Sequence, residues 1–201
     1  MLGLVVAHGG WILLPIAATS VAAVAVAVER CLRLLPMRGR IERMRLDLVG
    51  VIATAGPEAA QARAITDTPV GRIGEAILAS RANGEEAMRR DGLEAAQREV
   101  AACERGLGIL LAASQVAPLF GLLGTVLGLI EAFQGASTAE RISASVLSGG
   151  IYKALTTTVA GLLVAIPAYL AYMGLGGVVA RIVQSLERTV GDLARAVAGR
   201  R

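Results

Sequence analysis

Val116–Gln134 reads VAPLFGLLGTVLGLIEAFQ, and within it Pro118, Gly121, Thr125 and Gly128 recur at steps of three, four and three. At about 100° per residue these four positions share one helical face roughly 80° wide. A proline, two glycines and a threonine make a narrow stripe of small side chains on an otherwise apolar helix. Inside a membrane such a stripe lets helix backbones approach closely, and it turns one hydroxyl toward a partner or a pore.

The rest of the chain has the composition that such a helix requires. Of 201 residues, 55% are hydrophobic, and the mean hydropathy is +0.62, which is too apolar for an ordinary soluble domain. The charges are segregated. No Asp, Glu, Lys or Arg occurs in residues 1–28, 106–130 or 154–180. Each window is long enough for a bilayer span, which needs about 20 apolar residues. The expected fold is an all-α integral membrane protein with three transmembrane helices, at about residues 11–28, 106–133 and 154–180. Trp11 stands at the interfacial level of the first. That span lacks a basic leader and a small-residue cleavage site, so it is expected to be retained rather than removed as a signal peptide.

The net charge is +4, but the positives sit beside the spans. Arg30, Arg33, Arg38 and Arg40 follow the first; Arg181, Arg188, Arg195, Arg200 and Arg201 follow the third; the outer connection holds only Arg141 and Lys153. Positive charge marks the cytoplasmic side. Residues 29–105 and 181–201 are therefore expected in the cytoplasm and the N-terminus outside. The partner these charges indicate is the lipid bilayer, not nucleic acid.

Residues 29–105 carry 13 Arg and 12 Asp plus Glu, a balanced surface. Apolar residues recur there at helical spacing, with breaks at Gly56-Pro57, Thr68-Pro69 and Asn83-Gly84. Thr68 reads as a helix cap with Pro69 in the first turn. From Glu85 onward no strong break is visible, so the second membrane helix is expected to start in the cytoplasm and run straight into the bilayer through Gly92, Gly106 and Gly108. Ser137 with Glu140 fits a capping box that would start a small outer helix. The third helix is expected to pass Pro167, where it can kink, and continue beyond Arg181.

Little enzymatic chemistry is available. There is no phosphate-binding G-x-x-x-x-G-K-[ST] loop and no H-E-x-x-H. His8, at the outer end, is the single histidine, so no Ser-His-Asp set can be assembled. It is either merely solvated or a proton sensor. Cys31 and Cys103 lack metal-ligand spacing and fall on the reducing side. Neither an enzyme nor a bound cofactor or metal is expected.

What remains is hydroxyls within the membrane. Thr125 lies mid-span on the stripe. Thr156, Thr157 and Thr158 are consecutive and fan over about 200°, so they cannot all face one partner. Thr158 shares a face with Ala154, Gly161 and Ala165. A lone threonine in a span can simply bond back to a carbonyl of the preceding turn; two small-residue stripes that each carry one favour a lining. At the outer ends, Lys153 either tunes ion entry or snorkels to the interface, and Glu131 is open to the same two readings.

The segment APLFGLLGTVLGLIEAF resembles the second-helix signature of the MotA/TolQ/ExbB proton-channel family. GGIYKALTTTVAGLLVAIPA resembles its third-helix signature, and GGWILLPIAATSVAAVAVAVER its ExbB-type first helix. The resemblance implies one domain of this type over residues 1–201, in a bacterial inner membrane. It matches the family's pore threonines to Thr125 and Thr158, the latter three residues before Gly161 and nine before Pro167, and matches the opening proline of the second-helix motif to Pro118. It implies a lining that includes Gly121, Gly128, Gly161 and Ala165. One position departs: many relatives have Glu where this chain has Lys153. The implied partners are an ExbD/TolR-like single-span protein, a TonB-like or TolA-like protein, and further copies of the chain, commonly a pentamer. Threonine does not titrate near neutral pH and the span cores hold no Asp or Glu, so the carrier of a proton would come from the single-span partner. The implied function is an ExbB-like subunit of a proton-driven motor for outer-membrane transport; a TolQ-like role in envelope maintenance and a passive membrane scaffold are the alternatives.

Overall fold

The computed structural model describes residues 10–57, 59, 60, 68–138 and 144–199. His8, Glu140, Arg141, Arg200 and Arg201 lie outside them. The described residues are helical, in α1 (Leu13–Leu34), α2 (Met37–Ala55), α3 (Pro69–Ala79), a 3₁₀ turn (Arg81–Asn83), α4 (Glu85–Glu104), α5 (Leu107–Thr138) and α6 (Ala144–Ala198). Three helical stretches are long and apolar enough to cross a membrane. Hydrocarbon offers backbone groups no hydrogen bonds, so a spanning segment must satisfy them internally, as a helix does. The chain divides into two compact units, one of residues 1–29 and 106–174, the other of residues 30–105 and 175–201.

The first unit holds the three charge-free windows. Near the start of α1, Ile12, Leu13 and Ile16 are buried against Phe120 and Leu127 of α5 and Ala160 and Val164 of α6. Most other large side chains of the spans, such as Val21, Leu119, Leu163 and Leu170, are exposed, the surface expected of helices that face lipid or further chains. Ser137 is inside the last turn of α5, and its hydroxyl donates to the Gln134 carbonyl at 2.9 Å. It therefore does not act there as the helix-starting cap that the capping-box pattern suggested.

The second unit is a small helical core. Ile41, Leu48 and Ile52 line one face of α2, and Val70, Ile73 and Ile77 one face of α3. Ile182, Leu186, Val190, Leu193 and Val197 are buried along α6 at steps of four, four, three and four, one stripe at helical period. The three expected breaks are present. Gly56 and Gly84 adopt φ of 91° and 100°, open to glycine at no steric cost. The Thr68 hydroxyl accepts the Gly71 amide at 3.1 Å, with Pro69 opening the helix.

One break was not expected. The run from Glu85 does not pass uninterrupted into the membrane: α4 ends at Glu104, Gly106 turns with φ 85°, and α5 begins at Leu107. Ending a helix leaves its last carbonyls unpaired. Arg30, 9% exposed, donates from Nη1 to the Ala102 carbonyl at 3.3 Å, so an arginine from another helix supplies one of those bonds. That supply depends on tertiary structure, which is why Gly106 could not be singled out from Gly92 and Gly108.

Candidate functional site

The Val116–Gln134 stripe meets α6 through its glycines. A methyl placed on Gly121 would stand 3.0 Å from the Thr157 carbonyl oxygen and 3.0 Å from Thr158 Cα; on Gly128 it would meet Ala154 Cβ and the Gly150 carbonyl oxygen, each at 3.0 Å. From the other side, a methyl on Gly161 would stand 2.6 Å from the Ala117 carbonyl oxygen. Gly121, Gly128, Gly161, Ala154 and Ala165 are all buried. The close approach these residues allow is thus to the chain's own neighbouring helix. Dispersion and backbone proximity hold this contact, because lipid gives little hydrophobic drive for apolar helices to associate.

Two threonines of the triplet divide the work at this contact. Thr157 is fully buried; its hydroxyl donates to the Ala154 carbonyl at 2.7 Å and reaches the Gly121 carbonyl at 3.4 Å. Its side chain packs on Gly124. Thr158 is half-buried at the rim and donates across to the Gly121 carbonyl at 3.2 Å. Thr156 bonds back to Tyr152 at 2.8 Å on the exposed surface. Thr125 is half-buried and donates to Leu122 of its own helix at 2.6 Å. Neither Thr157 nor Gly124 stood out in the sequence. Gly124 falls outside the three-four-three stripe, and triplet spacing alone does not tell which threonine turns inward.

Helical geometry separates two flanks of the α5–α6 contact. Phe120 and Leu127 on α5, and Ala160 and Val164 on α6, lie on the flank covered by the start of α1. Pro118, Thr125 and Thr158 fall on the other flank, which α1 leaves open. Toward the end of α5 and the start of α6, Lys153 Nζ meets Glu131 Oε2 at 2.6 Å, joining two residues whose pairing was not read from the sequence. Gly10 lies against the same lysine: a methyl there would be 2.8 Å from Lys153 Cε. Among the described residues no cluster of three or more His, Cys, Asp or Glu could hold a metal ion.

The sequence matches the model of the MotA/TolQ/ExbB proton channel family over residues 64–188. It is 45% identical over 86 residues to the biopolymer transport protein exbB1 of Vibrio cholerae, covering 42% of this chain and 38% of that one. It is 36% identical over 165 residues to the biopolymer transport protein ExbB-like 3 of Synechocystis, covering 79% of this chain and 77% of that one. It is 38% identical over 78 residues to the Tol-Pal system protein TolQ of Haemophilus influenzae, covering 39% of this chain and 34% of that one. The aligned stretch thus spans little more than a third of the length of the Vibrio and Haemophilus relatives.

Proposed function

Because this chain belongs to the MotA/TolQ/ExbB proton channel family, we propose that it is an ExbB-like subunit of an inner-membrane motor driven by the proton-motive force. The observation that carries the proposal is the open flank of the α5–α6 contact, edged by Thr125 and Thr158 within windows that hold no Asp, Glu, Lys or Arg. Hydroxyls there can order water or hydrogen-bond a guest, but they carry no proton themselves near neutral pH. The titratable group comes from a second chain, an ExbD/TolR-like single-span protein with a membrane carboxylate. Copies of this chain surround that helix as a ring, a pentamer by family resemblance. Pro118, Gly121, Gly128, Gly161 and Ala165 shape the lining, and Glu131 with Lys153 stands at its outer mouth. The N-terminus faces the periplasm and the C-terminus the cytoplasm, as the arginines flanking the spans indicate. The motor does work on a TonB-like envelope-spanning protein that energises outer-membrane transport.

The TolQ relative supports a second assignment, a TolQ-like motor working through a TolA-like protein. The single-span protein that co-purifies, and whether deletion impairs nutrient uptake or detergent resistance, separates the two. For the motor itself, Thr158→Ala and Thr158→Val are assayed for partner-dependent uptake and for assembly. Loss of uptake with assembly retained is expected. Full uptake in both variants removes Thr158 from the pathway, and loss of assembly alone makes the protein a scaffold.

A further inference from the structure

The crevice between α1 and α6 brings together two polar groups that their own helices leave unused. A cavity of about 130 Å³ is lined there by Ser20, Ala23 and Ala27 of α1 and by Leu163, Pro167 and Ala171 of α6. The other described serines and threonines of the charge-free windows are all satisfied. Thr19, Ser114, Thr125, Thr156 and Thr157 each donate to a carbonyl of the preceding turn, and Thr158 donates to the Gly121 carbonyl. Half-buried Ser20 has no hydrogen-bond partner among the described residues. On the facing wall, Pro167 lies inside α6 and carries no amide hydrogen, so the Leu163 carbonyl loses the donor that the helix ladder would supply. At about 1.5 Å per residue, Ser20 stands about 14 Å from both Trp11 and Glu29, and Pro167 about 21 Å from both Lys153 and Arg181. Unused donor and unused acceptor thus share the middle depth of their spans.

Mid-span is where an unpaired hydroxyl or carbonyl costs most, because hydrocarbon offers it no hydrogen bond. A wholly apolar cavity stays dry, whereas a water with two or more polar partners and about 30 Å³ of room is held. This cavity supplies both. We infer that a water molecule is bound between α1 and α6, accepting from the Ser20 hydroxyl and donating to the Leu163 carbonyl, and that it makes Pro167 a wet pivot in α6. A lipid tail in the same space would leave both groups unpaired, so the chemistry selects water. The serine hydroxyl can also turn and accept from the water's second hydrogen, so the bridge survives a change of angle. Bending of α6 at the proline moves the Leu163 carbonyl, and a mobile water follows it where a fixed donor would be left behind. The site is independent of the motor assignment, because it lies in the α1–α6 crevice and not on the open flank.

Solid-state NMR of the protein in lipid bilayers tests the site, with magnetisation transferred from water and read at the Leu163 carbonyl carbon. The control is the carbonyl of Leu119, 62% exposed on α5, whose helix donor is the Leu123 amide. Transfer is expected at Leu163, absent at Leu119, and lost at Leu163 in Ser20→Ala. Equal transfer at Leu163 in the natural protein and in Ser20→Ala, or transfer there from lipid acyl chains alone, overturns the site. A double-mutant cycle of melting temperatures gives a second readout. Ser20→Ala is expected to lower the melting temperature by about 2–4 °C, and Ser20→Thr, which keeps the hydroxyl, to leave it unchanged. In Pro167→Ala, which returns an amide donor to the Leu163 carbonyl, the loss from Ser20→Ala is expected to disappear. The same loss in both backgrounds overturns the bridge, since Ser20 then acts without the freed carbonyl.

Discussion

Thr157 and Gly124 interlock across the α5–α6 contact: a methyl on Gly124 would stand 2.5 Å from Thr157 Cβ, closer than side-chain carbons pack. Gly124→Ala is therefore expected to force the helices apart and cost about 1–3 kcal/mol. The matched control is Gly149→Ala on α6, where nothing lies within 4 Å and a small gain from helix propensity is expected. Melting temperatures of the two variants in one detergent check this. Equal melting of the Gly124 and Gly149 variants would mean that the two helices do not meet as described.

How much of this was legible beforehand follows from which forces act locally. Charge is excluded from hydrocarbon whatever the tertiary structure, so the charge-free windows located all three spanning helices. Two unit boundaries, after Glu29 and before Gly106, fall where charge meets apolar sequence. The third falls after Gly174, seven residues before Arg181, because packing of Leu175, Val178 and Val179 rather than charge sets it. The glycine breaks and the Thr68 cap are local backbone events and could be read directly. The pairing of Lys153 with Glu131, the inward turn of Thr157 and the arginine that meets the end of α4 depend on how distant segments come together. No spacing rule reaches them.

The ion pair between Glu131 of α5 and Lys153 of α6 is accessible to reversal. Glu131 and Lys153 meet at 2.6 Å with side chains 57% and 27% exposed, so their coupling is expected to be about 0–1 kcal/mol. Glu131→Lys alone sets two cations together and lowers stability. Adding Lys153→Glu restores an opposite-charge pair and recovers most of the loss. A double-mutant cycle of melting temperatures measures the coupling, and a double variant no better than the sum of the singles refutes the contact.

The second unit contains a more protected pair. Arg72 donates to Glu99 through Nε at 2.6 Å and Nη2 at 2.7 Å, a two-pronged contact between α3 and α4. The Glu99 side chain is 11% exposed and that of Arg72 is 45%, so removal of one partner is not equivalent to removal of the other. Arg72→Met leaves a buried carboxylate without its cation and is expected to cost about 3 kcal/mol. Glu99→Gln leaves a half-exposed arginine that water can solvate and is expected to cost roughly half as much. Thermal unfolding followed by circular dichroism ranks them, and the reverse order would contradict the assigned burial.

Cys103 supplies a pH-dependent contribution with a definite sign. Its thiol is 3% exposed and lies 3.8 Å from the Met37 sulfur. Burial pushes its pKa up, the Glu99 carboxylate adds to that, and Arg30 opposes it. A thiol with a raised folded pKa favours the native state while it stays protonated. Its contribution is complete below the ordinary thiol pKa, about 8.5, and is lost as pH rises from there through the raised folded value. Stability is thus expected to decline above about pH 8.5, with Cys103→Ala removing that part of the decline. The same burial predicts slow alkylation, because only the thiolate reacts and the site is closed. At pH 7 one thiol, the half-buried Cys31, is expected to label rapidly with a maleimide, and the second only when the protein unfolds. Equal labelling rates in the native protein would show that Cys103 is open to solvent.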